Sequence, residues 1–404
     1  MRRIIFVNRF FAPDHSATSQ ILSDLAFHLA SRDFETHVVC GDTLYADKGK
    51  RLRAEEQISG VHVHRVSGGR FGRSGLAGRA FDYVGLYASL RQRLSALLQS
   101  GDILVVKTDP PLLSVPLAGL ARSRKAVFVP WLQDLYPEVA AELGVPLVSG
   151  IGGRALSSIR DRSLRHASAI VTIGARMQDR LTARGVSSKV IHVVPNWSDD
   201  MEIYPAPHEA NPVREAWGLR DKFIVGYSGN LGRAHEFQTV LSAAELLRDD
   251  KDLAFLFVGG GHHIDQLKAE ARARNLEHLF HFQPYQDRAQ LSQSLSAPDV
   301  HWLSLRPELE GLIVPSKFYG IAAAGRPVIN IGSPDGEIAQ LVSQFACGVT
   351  VAPGESAELA KLLASRLGSS ETLAAMGRNG RNMLTQHFSK ARAMQRWEDL
   401  LRSL

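Results

Sequence analysis

Short runs of apolar, β-branched residues recur along the whole chain, each followed by a longer stretch whose apolar positions return every three or four residues. The first kind of segment suits a strand buried on both faces, and the second a helix laid against a sheet. In the first half the strand-like runs fall at residues 3–7, 36–40, 61–66, 103–106, 126–131, 169–173 and 190–194. In the second they fall at 223–227, 253–258, 279–282, 300–305, 327–331 and 349–351. Helical spacing marks 20–30, 238–247 and 356–367 among the stretches between them. Alternation this regular predicts an α/β fold of parallel, doubly wound sheets. The chain runs through the pattern twice. Between the two series, residues 195–212 carry Pro195, Pro205, Pro207 and Pro212 with little periodicity, as a linker does. The expected organisation is a Rossmann-like domain over 1–198, a second over 199–380, and a closing helix over 381–404. That helix has Phe388, Met394, Trp397, Leu400 and Leu401 as its apolar positions. Two such domains are expected to face each other across a cleft, with ligands at the carboxyl ends of the strands.

Length agrees with two domains, since 404 residues exceed what one core usually serves. No apolar run reaches the roughly 18 residues of a membrane span. Arg2 and Arg3 before the apolar residues 4–7 imitate a secretion signal, but Asn8 cuts the run short of the roughly 7–15 residues a signal core needs. The two cysteines, Cys40 and Cys347, exclude a disulfide framework or a cysteine metal cluster, and a reducing cytosol fits them. The charge is uneven: 26 basic and 16 acidic residues lie in 1–198, against 21 and 25 afterwards. A basic half suggests an anionic partner. Its cations are not interleaved with aromatics in a compact motif, so an anionic membrane is expected and nucleic acid is not. Two stretches fit an interfacial helix. Residues 71–98 mix Phe71, Leu76, Phe81, Val84, Leu86, Tyr87, Leu90, Leu94 and Leu97 with arginines (Arg70 just before them, then Arg73, Arg79, Arg91 and Arg93), and residues 152–167 carry Arg154, Arg160, Arg162 and Arg165.

The most informative segment begins Glu310-Gly311-Leu312-Ile313-Val314-Pro315-Ser316-Lys317 and ends Ala324-Gly325-Arg326-Pro327. Pro315 suits a helix start, where its missing N–H costs nothing. Ser316 and Lys317 in the first turn would bring a hydroxyl and a cation to free backbone N–H groups, a set that suits a diphosphate. An ordinary capped helix with a solvated lysine accounts for the same residues. A second segment, Tyr227-Ser228-Gly229-Asn230-Leu231-Gly232-Arg233, joins a strand to a helix with glycines that let backbone approach a ligand, and Arg233 can grip phosphate oxygens. The one Asp-x-Asp, at Asp250 and Asp252, sits in a polar turn, so no metal site is expected.

The segment from Glu310 resembles the donor-site helix of family 4 GT-B glycosyltransferases, in the variant of enzymes that build colanic acid, O-antigen and capsular polysaccharides. The resemblance implies two Rossmann-like domains and transfer of a sugar, with retention, from a nucleotide-diphosphate donor. UDP is favoured, with GDP next, and the acceptor is a polyprenyl-diphosphate-linked saccharide. It implies that Gly229, Asn230, Arg233, Tyr285, Glu310, Gly311, Ser316 and Lys317 bind the donor, Arg233 and Lys317 neutralising the diphosphate with no metal and no cofactor. Glu310 would meet the donor sugar's hydroxyls. Many members carry a second glutamate for the donor ribose; aligned on Pro-Ser-Lys, Gly320 stands in its place.

In the first half, the loop bearing His15 and Ser16 follows the first strand and lacks the Gly-x-Gly-x-x-Gly of a dinucleotide fold. The resemblance puts His15, Ser16, Asp134, Glu138 and Asn196 on the acceptor side, Asp134 foremost. Ser16 or Thr18 would equally serve as a helix cap. The closing helix would cross back onto the first domain, and the protein would sit in the cytoplasm, peripheral on the inner membrane. Two rivals share the pattern: a nucleotide-sugar 2-epimerase, and a non-catalytic nucleotide-sugar-binding scaffold.

Overall fold

A computed structural model of the protein describes residues 2–47, 49–68, 75–208 and 211–404, side chains at 75–81 and 147 excepted. It divides into two compact units, Met1–Pro195 with Met394–Leu404, and Asn196–Ala393.

The first unit runs β1 (Arg3–Val7), α1 (Ala17–Ala30), β2 (Glu35–Gly41), β3 (Glu55–Ile58), β4 (Val61–Val66), α2 (Gly75–Leu97), β5 (Ile103–Lys107), α3 (Ser114–Ser123) and β6 (Val127–Leu132). It continues through α4 (Glu138–Glu142), α5 (Gly150–Leu164), β7 (Ile170–Thr172), α6 (Ala175–Ala183) and β8 (Ile191–Val193). Its eight-stranded sheet has the order β3-β4-β2-β1-β5-β6-β7-β8, parallel except for β3 against β4. The inner strands are apolar on both faces because helices cover both. Leu86, Leu90 and Leu94 of α2 pack with Ile5, Val7, Leu104 and Val106, while Leu22, Leu25 and Leu29 of α1 are wholly buried. β3 is the strand the apolar pattern misses: Glu55-Glu56-Gln57-Ile58 is an edge strand, turned by Ser59 and Gly60 at positive φ, which suits a two-residue hairpin.

The second unit runs α7 (Pro212–Ala216), β9 (Phe223–Asn230), α8 (Gln238–Leu246), β10 (Leu253–Gly260), α9 (Ile264–Ala273), β11 (Phe280–Gln283), α10 (Leu291–Ser296) and β12 (Val300–Ser304). Then come α11 (Lys317–Ala323), β13 (Val328–Ile331), α12 (Glu337–Phe345), β14 (Gly348–Val351), α13 (Ser356–Ala364), α14 (Ser370–Met383) and α15 (Lys390–Ser403). Its six strands are all parallel, ordered β11-β10-β9-β12-β13-β14, over a core that includes Tyr227, Phe255, Phe257 and Trp302. Residues 196–208 and 211, expected as part of a linker, are fastened to this unit. Tyr204 N–H donates to Ser292 Oγ (3.1 Å), Ala206 N–H to Ser296 Oγ (3.0 Å), and Asn211 Nδ2 to Gln293 O (2.8 Å). The prolines signal irregular backbone correctly, but its polar groups are satisfied on α10, so the boundary falls after Pro195 and not after 198. The return to the first unit comes within α15, at Met394, later than the expected 381. Trp397 is buried there against Trp131, ring centres 4.6 Å apart and edge to face, and His28 Nε2 meets Glu398 Oε1 at 2.5 Å.

A histidine chain crosses β2 and β4. Arg93 donates to His64 Nδ1 (2.8 Å), His64 Nε2 faces His37 Nδ1 (3.1 Å), and His37 Nε2 faces Glu35 Oε1 (2.9 Å). The chain closes only with both rings neutral. Burial foremost lowers the pKa of both rings, His64 to about 4, against about 6.5 in an unfolded chain. This contribution to stability is therefore full above pH ~6.5 and is lost as pH falls from there toward the folded values. Thermal melts between pH 7.5 and 5 are expected to show a fall in Tm that His64→Gln reduces; parallel curves for the two proteins would refute it.

Candidate functional site

In the second unit the strand order reverses beside β9, with β10 and β11 on one side and β12 to β14 on the other. β9 and β12 pair only at Val225–Gly226 with Val300–His301. The loops that follow these two strands thus flank the position where an open sheet takes its ligands. Lys317, the first residue of α11, is largely buried there, its Nζ 5.2 Å from the centre of the Tyr227 ring. Burial lowers its pKa to about 8, so it remains a cation at neutral pH. Room for it exists because position 229 is glycine, at φ +118°; a Cβ would stand 2.8 Å from Lys317 Cε. Lys317 Nζ donates to His235 Nε2 at 3.2 Å, and His235 Nδ1 lies 2.6 Å from Ser304 O. No hydrogen bond or ion pair joins Lys317 to Arg233 among the described residues, and Arg233 is exposed.

Around this cation the other expected donor residues take distinct places. Asn230 is exposed while its carbonyl accepts from Tyr227 Oη (2.9 Å); Ser316 is exposed; Gly311 is buried at φ +72°. Tyr285, 63% exposed, lies along the Gly259–Gly260 turn, where added Cβ atoms would come within 3.1 and 3.3 Å of its ring. Glu310 has a task the sequence does not assign. Its Oε2 accepts Glu337 N–H (3.2 Å) at the start of α12, and only a glycine at 336 leaves space, since a Cβ would sit 2.3 Å from Oε1. The carboxylate closes a helix end. At Gly320 a Cβ would face Leu295 Cδ1 at 3.7 Å, a packing contact toward α10.

The first unit has its own reversal, between β1 and β5. Lys107, the last residue of β5, is 1% exposed, and no hydrogen-bond partner for its Nζ lies among the described residues. The nitrogen sits 3.8 Å from the centre of the Trp131 ring. Burial foremost lowers its pKa to about 7, and burial foremost raises Asp109 and Asp134 to about 6, Asp109 also pushing Asp134 up. Lys107, Thr108, Ser114, Asp134 and Tyr136 line one cavity. Burial thus brings all three groups closer to neutrality than the same side chains in water, as catalytic acids and bases often are. Arg9, after β1, joins them: its N–H donates to Asp109 O (2.6 Å) and its guanidinium to Tyr83 Oη (3.2 Å).

Comparison with known proteins decides the family. The glycosyl transferase 4-like domain matches residues 17–197, and glycosyl transferases group 1 matches residues 211–383. The chain is a family 4 GT-B glycosyltransferase. It is 26% identical over 314 residues, 77% of each chain, to the probable glycosyltransferase WbjE of Pseudomonas aeruginosa. It is 30% identical over 248 residues, 60% of each chain, to the putative colanic acid biosynthesis glycosyl transferase WcaI of Escherichia coli K12. The crystal structure of Anabaena Alr3699/HepE in complex with UDP shares the fold, with a TM-score of 0.75 at 17% identity over the whole of both chains.

Other residues of this glycosyltransferase depart from what the sequence suggests. Glu138, expected on the acceptor side, is committed to structure: Arg160 grips it at 2.7 and 3.1 Å and also holds Asp161 at 2.6 Å. Arg160 is therefore buried, not interfacial. On α2 the apolar residues Leu86, Leu90 and Leu94 face the unit's own core, leaving Val84 exposed. Arg70, Phe71 and Arg73 lie outside the described residues, as do the side chains of Leu76, Arg79 and Phe81. His15 is exposed, and Ser16 stands at the cap of α1 with no side-chain cap bond. Asn196 is buried. Lys107 and Asp109 escape sequence reading, although a lysine ending an otherwise apolar strand is a usable signal. Asp250, in the Asp-x-Asp turn, pairs with Arg366 at 2.9 and 3.0 Å. Among the described residues no group of three or more His, Cys, Asp or Glu is arranged to hold a metal, and no helix is long and apolar enough to cross a membrane.

Proposed function

We propose that this glycosyltransferase moves a sugar from a UDP-sugar to a polyprenyl-diphosphate-linked saccharide during assembly of a bacterial surface polysaccharide, with retention and without a metal. The observation that carries the reading is Lys317: a largely buried cation at the carboxyl edge of β9 and β12 that faces a neutral imidazole and, among the described residues, pairs with no carboxylate. A buried cation without a counter-ion awaits an anion, and a departing diphosphate supplies one. The name of WcaI supports the pathway, and Alr3699/HepE, solved with UDP and with UDP-glucose, supports the nucleotide. In this reading the ring of Tyr285 receives the base and Asp134, near its pKa at neutral pH, takes the acceptor hydroxyl's proton. Arg233 would close on the diphosphate from its exposed loop.

For the membrane, α5 is the remaining candidate. It exposes Ile151 (84%) and Ile159 (48%), with Arg154, Arg162 and Arg165 also exposed. Such a stripe suits an anionic bilayer surface.

A thermal-shift panel of UDP-, GDP- and dTDP-sugars, followed by transfer of the stabilising donor's labelled sugar to polyprenyl-diphosphate-linked sugars, tests the proposal. Donor converted with no acceptor present would favour the epimerase, and binding with no turnover on any acceptor the scaffold. Sedimentation with anionic and neutral liposomes, wild type against Ile151→Asp, tests α5.

A further inference from the structure

We infer that His235 is a positioning residue for Lys317, its neutral imidazole fixing the ammonium in place without cancelling the charge offered to a diphosphate. The inference rests on the donor-site reading and deepens it.

Geometry fixes the protonation. Ser304 O can only accept, so the 2.6 Å contact requires a proton on His235 Nδ1. The Lys317 ammonium can only donate, so the 3.2 Å contact requires a lone pair on Nε2. The ring that satisfies both is the neutral tautomer with hydrogen on Nδ1. Burial and the charge of Lys317 push its pKa down to about 3, which agrees with a ring that is neutral at neutral pH.

The frame around the ring is rigid. Ser304 is wholly buried; its hydroxyl accepts Glu236 N–H (3.0 Å) and donates to Glu236 O (2.7 Å), and Arg306 N–H donates to Ala234 O (3.1 Å). The end of β12 thereby holds the loop after β9 on both sides of His235. The carboxylate next in sequence, Glu236, has its Oε1 engaged by Thr239 N–H (2.7 Å) at the start of α8. The other titratable groups about the pair are Tyr227, whose ring lies beneath Lys317, Tyr285 beyond it, and His263. A carboxylate in place of His235 would orient the lysine equally well but neutralise it. An imidazole orients it and leaves a full positive charge.

Two substitutions separate the ring's two bonds. His235→Asn keeps a donor for Ser304 O and loses the acceptor for Lys317, whereas His235→Gln can return an amide oxygen to Lys317. Calorimetry with UDP from pH 6.5 to 9.5, with folding checked by circular dichroism, reads the effect. Wild-type affinity is expected to fall as pH rises through about 8, where Lys317 loses its proton. In His235→Asn, UDP should bind at least about tenfold more weakly, the weight of a hydrogen bond to a charged group. Its midpoint should also move to lower pH, because the acceptor that favoured the ammonium is gone. His235→Gln should restore most of both. If wild type binds UDP and His235→Asn matches it in affinity and midpoint, the positioning role is overturned while the donor site stands. If wild type binds none of UDP, GDP and ADP, the donor-site reading fails and takes this inference with it.

Discussion

Lys317→Ala is expected to lower the rate of sugar transfer by about a hundredfold to a thousandfold, equivalent to roughly 3–4 kcal/mol of lost transition-state stabilisation. The magnitude follows from where the charge sits. Lys317 is largely buried, lies over the Tyr227 ring and shares no carboxylate among the described residues, so its field on an arriving oxyanion is screened less than that of a surface lysine. Charge on the bridging oxygen of a departing diphosphate grows toward the transition state, so kcat should fall more than donor affinity. The fold itself should be indifferent or slightly stabilised, since the substitution removes a buried cation. Initial rates at saturating donor, with Kd for UDP measured separately, check the expectation. A variant with near-normal kcat would remove Lys317 from the chemistry.

Trp397→Ala is expected to destabilise the first unit by about 3–5 kcal/mol, as loss of a wholly buried indole does. Trp397 stands edge to face on Trp131, and Lys107 lies 3.8 Å over that same Trp131 ring. The substitution thus reaches the buried ammonium through one shared aromatic. Urea unfolding should show the first unit's transition at lower denaturant with the second unit's unchanged. A single unshifted transition would mean that the last helix contributes nothing to that core.

The alternation of apolar runs with amphipathic stretches carried the fold class, because strands buried on both faces must be apolar throughout. It failed at Glu55–Ile58, where an edge strand meets water and can be polar. The site was legible only in pieces. Gly229 and Lys317 each stand out in their own segment, yet nothing in either announces that one's missing Cβ makes room for the other's side chain. The bond of His235 to Lys317 joins residues 82 apart, and Arg160 reaches back 22 residues to Glu138; such pairings are set by topology and not by local spacing. Arg160 shows the cost of judging from composition, for an arginine in a basic helix proved to be the buried centre of an ion-pair network. The prolines of 195–212 mark irregular backbone but not which unit would bind it.

That the segment from Met394 belongs to the first unit makes the second unit, in chain order, an insertion within the first. The ribosome therefore completes the second unit before the first. At about 5–20 residues per second, the nascent first unit waits on the order of tens of seconds with Trp131 and His28 uncovered. During that interval its exposed apolar surface is of the kind that invites aggregation. A premature stop within the last helix would consequently be felt in the core that was synthesised first.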